Sequence, residues 1–308
     1  MFMKIGERES QNDLLLAPMA GVSDVGFRLL CSKYGASGTF TEMLSARAMM
    51  HERKKTELMT LTTDMEKIKI AQIFGKEKDV MAKAISLPVL EKFDGYDINM
   101  GCPAPKIVRN GEGSALMKDF SLASQIISAC KKSTTKPISV KFRLGFDKVV
   151  ASDFARMCEE SGADFVTIHG RTAEQGYSGN VNYEEIAKVK ANVKIPVVGN
   201  GDVVNRDSYE KMKATGVDAV MVGRGAQGNP WIFAEILGKK TKFNKFEDIK
   251  EHVELLRQHF DEKWIRLYMR KHFLWYISGV KDASKRRLEI ATSFDVNKSL
   301  EIIKELLN

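Results

Sequence analysis

Cysteine is scarce in this chain and carries no pairing pattern. Cys31, Cys102, Cys130 and Cys158 are the four in 308 residues, and none stand as C-x-x-C. That excludes a zinc ribbon and a thioredoxin-like motif. Four in a chain this long do not make a disulfide framework, so all four are read as free thiols and no metal site is expected. Long apolar runs are missing as well. Nothing approaches the ~18 residues of a membrane span, so no membrane partner is expected. The opening MFMKIGERES has no signal-peptide core, and a cytoplasmic protein is the expectation. Repeats of solenoid length and low-complexity segments are also absent.

What is present is an ordinary globular mixture, 44% hydrophobic and 29% charged. Its length suits one large domain with a small one, or two ordinary domains. The net charge is +8. From Lys239 to Asn308 there are 16 Lys+Arg against 11 Asp+Glu, so five of the eight excess charges fall in the tail. A solvated helical face and a nucleic-acid surface both fit that charge.

Short apolar runs alternate with helix-patterned stretches. The runs are LLLAP (14–18), GTFTEM (38–43), KIAQIF (69–74), GYDINM (95–100), PISVKFR (137–143), DFVTIH (164–169), IPVVGN (195–200) and DAVMVGR (218–224). Helical patterns lie at 79–92, where Pro88 argues for a break, and at 119–132, 151–161, 183–190 and 206–215. Near-continuous apolar strands alternating with helices mean a parallel sheet covered on both faces. Eight such units predict a (β/α)₈ TIM barrel. No G-x-G-x-x-G follows the first run, which weighs against an open dinucleotide-binding sheet. Beyond Gly238 the strand-like runs stop. Val296, Leu300, Ile303 and Leu307 share one helix face, Trp264, Leu267, Tyr268 and Trp275 form an apolar stripe, and Lys263, Arg266 and Arg270 a basic one. The expected organisation is a barrel over 1–238 and a small all-α helical domain over 239–308.

In such a barrel the site lies at the C-terminal strand ends. There the chain places the turn Pro18-Met19-Ala20-Gly21, then Glu42, Gln72, Asn99 with Cys102 beyond, Lys141 and Arg143, His169 with Arg171 beyond, Asn200-Gly201-Asp202 and Gly223-Arg224-Gly225. Each has a bland reading alone: a hydrogen-bonded histidine, a strand-edge lysine, a loop-capping glutamine, a turn. Their fall on one rim favours a site. The loops after the seventh and eighth strands are glycine-rich and lead into helices, the pattern that receives a phosphate on backbone N–H groups. Arg224 would add a charge-assisted bond. A phosphorylated ligand is expected.

The segments LAPMAGVSD (16–24), TEM (41–43), QIFG (72–75), DINMGCPAPK (97–106), GEGSAL (111–116), VKFRLG (140–145), IHGRT (168–172), GNGD (199–202), VGRGAQGNPWIF (222–233) and RKHFLWY (270–276) resemble, in order, those of the tRNA-dihydrouridine synthases of the bacterial branch. The resemblance implies an FMN-containing barrel that uses NADPH to reduce uridines of the tRNA D-loop. It implies Pro18, Met19, Ala20, Gln72, Lys141, His169, Asn200, Gly201, Asp202, Gly223 and Arg224 at the flavin, Cys102 as proton donor, and Asn99 and Arg171 toward substrate. Glu42 is a weaker substrate candidate. It also implies tRNA as partner through the basic tail; the oligomeric state stays open, with a monomer as the default.

The chemistry suits those residue types. Reducing a uracil double bond takes a hydride at carbon 6 and a proton at carbon 5. A flavin carries the hydride chemistry, and a lysine at its polar edge favours developing negative charge. An ordinary thiol, with pKa ~8.5, is mostly protonated at neutral pH and can serve as the acid. A target base would be extruded from the folded RNA. The rival readings are an FMN barrel acting on a free pyrimidine, as dihydroorotate dehydrogenases do, and an RNA-binding protein on a catalytically silent barrel.

Overall fold

The computed structural model describes residues 3–51, 58–240 and 243–307. Eight parallel strands close into a barrel: β3 (Leu14–Leu16), β4 (Gly38–Phe40), β6 (Lys69–Phe74), β7 (Gly95–Met100), β8 (Ile138–Arg143), β9 (Phe165–His169), β10 (Val197–Asn200) and β11 (Ala219–Val222). Pairing runs in this order, and β11 returns to β3. All eight expected strands are therefore found. Two short strands, β1 (Lys4–Ile5) and β2 (Arg8–Glu9), form an antiparallel hairpin, and β5 (Leu44–Ser45) extends the pairing of β6.

The two-residue side-chain period of a strand explains the core. Leu14 and Leu16 face the surrounding helices, whereas Leu15 and Ala17 face inward with Phe40, Ile70, Phe165, Val198 and Met221. Met3 and Ile5 of the first hairpin join that inner cluster. The covering helices are α1 (Val25–Tyr34), α2 (Ala46–Met49), α3 (Lys78–Ile85), α4 (Pro105–Arg109), α5 (Phe120–Lys132), α6 (Ala151–Glu160), α7 (Tyr183–Asn192), α8 (Arg206–Lys213) and α9 (Ile232–Ile236). The break at Pro88 is real: α3 ends at Ile85 and a 3-10 turn begins at the proline, where the ring cannot continue a helix.

Four further helices follow: α10 (Lys245–Arg257), α11 (Glu262–Tyr276), α12 (Ala283–Thr292) and α13 (Val296–Leu307). On α13 the expected face is the packed one, with Val296, Leu300 and Ile303 buried. On α11 the expected stripe is displaced. Its buried residues are Ile265, Met269, His272, Phe273 and Tyr276, while Leu267 is 55% exposed. Two of the stripe's aromatic members, Trp264 and Tyr268, do stack in a ladder that begins at Phe260, with ring centroids 3.9 and 4.3 Å apart.

The helical layer shares its core with Val25, Leu29 and Tyr34 of α1 and with Trp231 and Ala234. Close approach of α1 and α10 needs a residue without Cβ: at Gly26 a Cβ would stand 2.6 Å from His252 Cδ2. Asp24 caps α1, accepting from Phe27 N at 3.0 Å, and also accepts from His252 Nε2 at 2.9 Å. His272 Nε2 lies 3.1 Å from its other oxygen. Among the described residues this is the one group of three side chains with a metal-type donor set. Both ring nitrogens of His252 are engaged already, Nδ1 with the Tyr276 hydroxyl at 3.0 Å and Nε2 with Asp24 at 2.9 Å.

Candidate active site

Strand register brings the rim residues together. Gln72 stands beside Asp97, Asn99 beside Lys141, Arg143 beside His169, and His169 beside Asn200. Lys141 Nζ donates to Asn200 Oδ1 at 3.1 Å, and Asn200 Nδ2 donates to Met221 O at 2.8 Å. Burial lowers the Lys141 ammonium below its usual range, Arg143 adds to that, and Asp97 opposes it. His169 is 6% exposed. Burial and the charges of Lys141, Arg143, Arg171 and Arg224 push its ring down to about 2, so it is neutral at ordinary pH.

The Cys102 loop is held from several sides. Asn99 Oδ1 accepts from Cys102 N at 2.9 Å and Gly101 N at 3.3 Å, and Arg143 Nε donates to Gly101 O at 2.9 Å. Ser114 N donates to Cys102 O at 3.0 Å. Gly113, at φ +60°, must be glycine here, since a Cβ would lie 2.7 Å from that oxygen. Pro105 opens α4, where a missing N–H costs nothing. Cys102 is half-buried, whereas Cys31, Cys130 and Cys158 are fully buried, and all four are free thiols.

Across the mouth, the turn after β3 is closed by Val22 N and Ser23 N donating to Met19 O, with Ala20 exposed at its tip. Gly21 N reaches Glu42 Oε2 at 2.5 Å, so Glu42 props this turn. The loop after β10 is packed on both sides: a Cβ on Gly225, in the loop after β11, would meet Val203 O at 2.2 Å, and one on Gly201, at φ +137°, would meet Val181 Cγ2 of the loop after β9 at 2.7 Å. Gly223 is different. A Cβ there would fill the gap toward Ala17 (3.6 Å) and Met19 Sδ (3.9 Å). The N–H groups of Gly223, Arg224 and Gly225 open a 3-10 turn and, as first-turn groups, have no acceptor within it. An open backbone cradle flanked by Arg224 and ringed by cations fits a phosphorylated, negatively charged group.

Two expected residues are less available than their positions suggest. Arg171 is 2% exposed and donates to Asp202, Ser178 O and Gly179 O, so it clamps the loop after β9 to that after β10. Gln72 is 1% exposed and bonded at both ends of its amide. Arg224 also binds Asp202, at 2.6 Å, with 45% of its side chain exposed. Two residues with evident roles, Asp97 and Tyr177, were not singled out in the sequence, and Arg143 was placed on the rim without a role. Asp97 is fully buried beneath Gln72. Arg143 ties the Cys102 loop to Thr172 O and Gly176 O. Tyr177, 59% exposed, stands with its ring 4.5 Å from the Arg224 guanidinium and 5.5 Å from that of Arg143. Only Asp97 had a signal: an acid in an apolar strand run demands a partner.

The family model described as dihydrouridine synthase (Dus) matches residues 15–308. A protein of Shewanella oneidensis named tRNA-dihydrouridine synthase B is 39% identical, with 89% of this chain and 89% of that one covered. Its namesake in Pasteurella multocida is 37% identical over 91% of this chain and 88% of its own. A probable tRNA-dihydrouridine synthase of Rickettsia conorii is 36% identical over 92% and 90%. Among solved structures, a variant of NCR from Zymomonas mobilis matches with TM-score 0.56 at 15% identity, over 79% of this chain and 92% of that one, which is a likeness of fold.

Proposed function

The chain belongs to the dihydrouridine synthase family, a family of oxidoreductases, and from that membership we propose that it reduces uridines of the tRNA D-loop to 5,6-dihydrouridine with FMN as cofactor and NADPH as reductant. The observation that carries the reading is the Cys102 loop. Of four thiols only this one reaches the barrel mouth, on a loop fixed by Asn99 and Arg143.

In this reading Gly201, Asp202, Gly223 and Arg224 hold the ribityl chain and phosphate of FMN, and the turn Pro18-Met19-Ala20 borders it. Lys141 and Asn200 serve its polar ring edge, Gln72 supports that edge from beneath with both ends of its amide bonded to Asp97 and Asn99, and neutral His169 packs beside the ring as a hydrogen-bonding group. Bound there and reduced, the flavin supplies a hydride for carbon 6 of the uracil. Cys102 breaks its S–H bond to give the proton to carbon 5, so the double bond gains one hydride and one proton. The negative charge left on sulfur is faced by Lys141 and Arg143, which both interact with it electrostatically. A proton from solvent then restores the thiol. Asn99 orients the loop and borders the substrate pocket, and Arg171 acts by clamping two loops rather than by touching the base. Lys263, Arg266 and Arg270 on α11 offer charges for RNA phosphates.

Cys102→Ala tests the assignment. The variant is expected to bind FMN and accept electrons from NADPH normally while forming little dihydrouridine in unmodified tRNA. Dihydrouridine formation at the normal rate refutes Cys102 as the acid. Turnover of free uracil or orotate in place of tRNA supports the free-pyrimidine reading instead.

A further inference from the structure

Asp97 sits in the middle of β7 with 0% exposure, between Gln72 on one neighbouring strand and Ser139 on the other. The surrounding run GYDINM is otherwise apolar except for Asn99 and the Tyr96 hydroxyl. A buried acid in such a place costs free energy unless its oxygens are satisfied. Here both are. Oδ2 accepts from Gln72 Nε2 at 2.7 Å and Oδ1 from Ser139 Oγ at 2.6 Å.

These bonds have a direction. An ionised carboxylate can only accept, so the NH₂ of Gln72 must face Asp97 and its carbonyl must face away. That carbonyl accepts from Asn99 Nδ2 at 2.9 Å. The second amide is thereby oriented too, with Asn99 Oδ1 turned to the loop, where it accepts from Cys102 N and Gly101 N. Reversing any link reverses them all, and the reversed chain would set the Asn99 NH₂ against two backbone N–H donors. Amide orientation follows from the network, and here it is fixed from both ends, by the Asp97 carboxylate, which accepts, and by the backbone N–H groups of Gly101 and Cys102, which donate.

We propose that Asp97 is a positioning residue: it is the fixed acceptor end of an Asp97–Gln72–Asn99 relay that sets the conformation of the Gly101–Cys102 loop, and with it the point from which the thiol delivers its proton. The proposal rests on the reading of Cys102 as the acid. Arg143 completes the arrangement from the opposite side, donating to Gly101 O while Asn99 accepts from the N–H of Gly101 and Cys102. Burial raises the Asp97 carboxyl, against the bonds from Gln72 and Ser139.

The test compares Asp97→Ala with Asp97→Asn in the flavin-loaded enzyme. The Asp97→Asn side chain keeps an oxygen for Gln72 and offers its NH₂ to Ser139 Oγ, so it preserves the direction without the charge. Three readouts are taken: alkylation of Cys102 by iodoacetamide without RNA, flavin reduction by NADPH, and reoxidation of the reduced enzyme by unmodified tRNA under anaerobic conditions. The other three cysteines are buried, so alkylation reads the loop. Asp97→Ala is expected to alkylate several-fold faster and to lose about tenfold to a hundredfold in reoxidation by tRNA, the scale of a misplaced reacting group, with reduction by NADPH little changed. Asp97→Asn is expected close to the parent on all three. Equal defects in both variants, or unchanged alkylation in Asp97→Ala, overturn the relay. Where Asp97→Ala does not load flavin, Asn99→Ala cuts the last link and must raise alkylation similarly; no rise there overturns it equally. Alkylation does not depend on which group is the acid. If Cys102→Ala turns over normally while alkylation rises as expected, the functional reading fails and the relay stands; the opposite pair of results fails the relay alone.

Discussion

Replacing Asp24 by alanine removes three contacts at once, at the place where barrel and helical layer meet. The side chain caps α1 through Phe27 N, and the same oxygen accepts from His252 Nε2. Its other oxygen faces His272. Loss of a cap costs about 1 kcal/mol. Stranding a buried N–H such as that of His252 costs about 1–3 kcal/mol more. A total of about 3 kcal/mol is a large fraction of the 5–15 kcal/mol that ordinarily separates folded from unfolded protein. Asn205→Ala is the control. It removes the cap of α8, which accepts from Ser208 N at 2.9 Å, and touches no part of the helical layer, so it is expected to cost only the cap term, about 1 kcal/mol.

The assay is urea unfolding followed by two probes. The chain has three tryptophans, Trp231, Trp264 and Trp275, which lie in the shared core or on α11. Fluorescence therefore reads the helical layer, while far-UV circular dichroism reads both parts. Asp24→Ala is expected to bring the fluorescence transition to lower urea than the dichroism one, and Asn205→Ala to move them together. Asp24→Asn keeps an acceptor for the cap and should lie between. The Asp24 carboxyl itself should stay ionised from pH 5 to 8. Burial alone would raise the Asp24 carboxyl, but His252 and His272 overcome it and hold it far below the usual carboxylate range. A depressed carboxylate stabilises fully above its unfolded value of about 3.9 and loses that contribution only as pH falls through its folded value. The reasoning is refuted if Asp24→Ala shifts the fluorescence midpoint no further than Asn205→Ala.

Two other consequences follow from the mouth. His169 should show no titration between pH 5 and 8 in NMR spectra of its ring, because burial and four neighbouring cations push it down to about 2. With the folded value below the unfolded one, the stability it contributes is complete above pH ~6.5 and declines as pH falls below that; an inflection of its ring signals near pH 6.5 refutes this. Gly225→Ala should leave the barrel's dichroism intact but sharply reduce bound flavin, since the new Cβ would lie 2.2 Å from Val203 O and force the two cradle loops apart. Full visible absorption after adding FMN would show that these loops do not form the cradle.

The barrel was readable in the sequence because its signals are local. Each of the eight runs carries its own apolar pattern, and a strand end fixes which residue meets the rim without knowledge of any partner. The glycine loops after β10 and β11 were readable for the same reason. Register was not, and it decides what the rim residues do. Arg171 and Arg224 look alike in sequence, each two positions beyond the end of a strand. Only the fold shows that Arg171 is enclosed between Asp202 and two carbonyls while Arg224 keeps nearly half its side chain in solvent. The stripe on α11 failed for a related reason. Trp264 and Tyr268 are apolar at helical spacing, but the buried face is decided by what α1 and α10 present, and that is His252, Asp24 and a glycine.

Direction within a hydrogen-bond network is further still from the sequence. That an amide can donate from one end and accept at the other is a property of the residue type, but which end faces inward depends on a third residue. Asp97 precedes Cys102 by only five positions, within the segment DINMGCPAPK. Nothing in that spacing says the two communicate, because the path leaves β7 for Gln72 on β6 and returns through Asn99. Substitution tolerance at Gln72 should therefore be judged against Asp97 and Asn99 together. A residue that fills the space of Gln72 yet cannot both donate and accept, such as methionine, keeps the packing of the barrel and loses the route by which the buried carboxylate reaches the Cys102 loop.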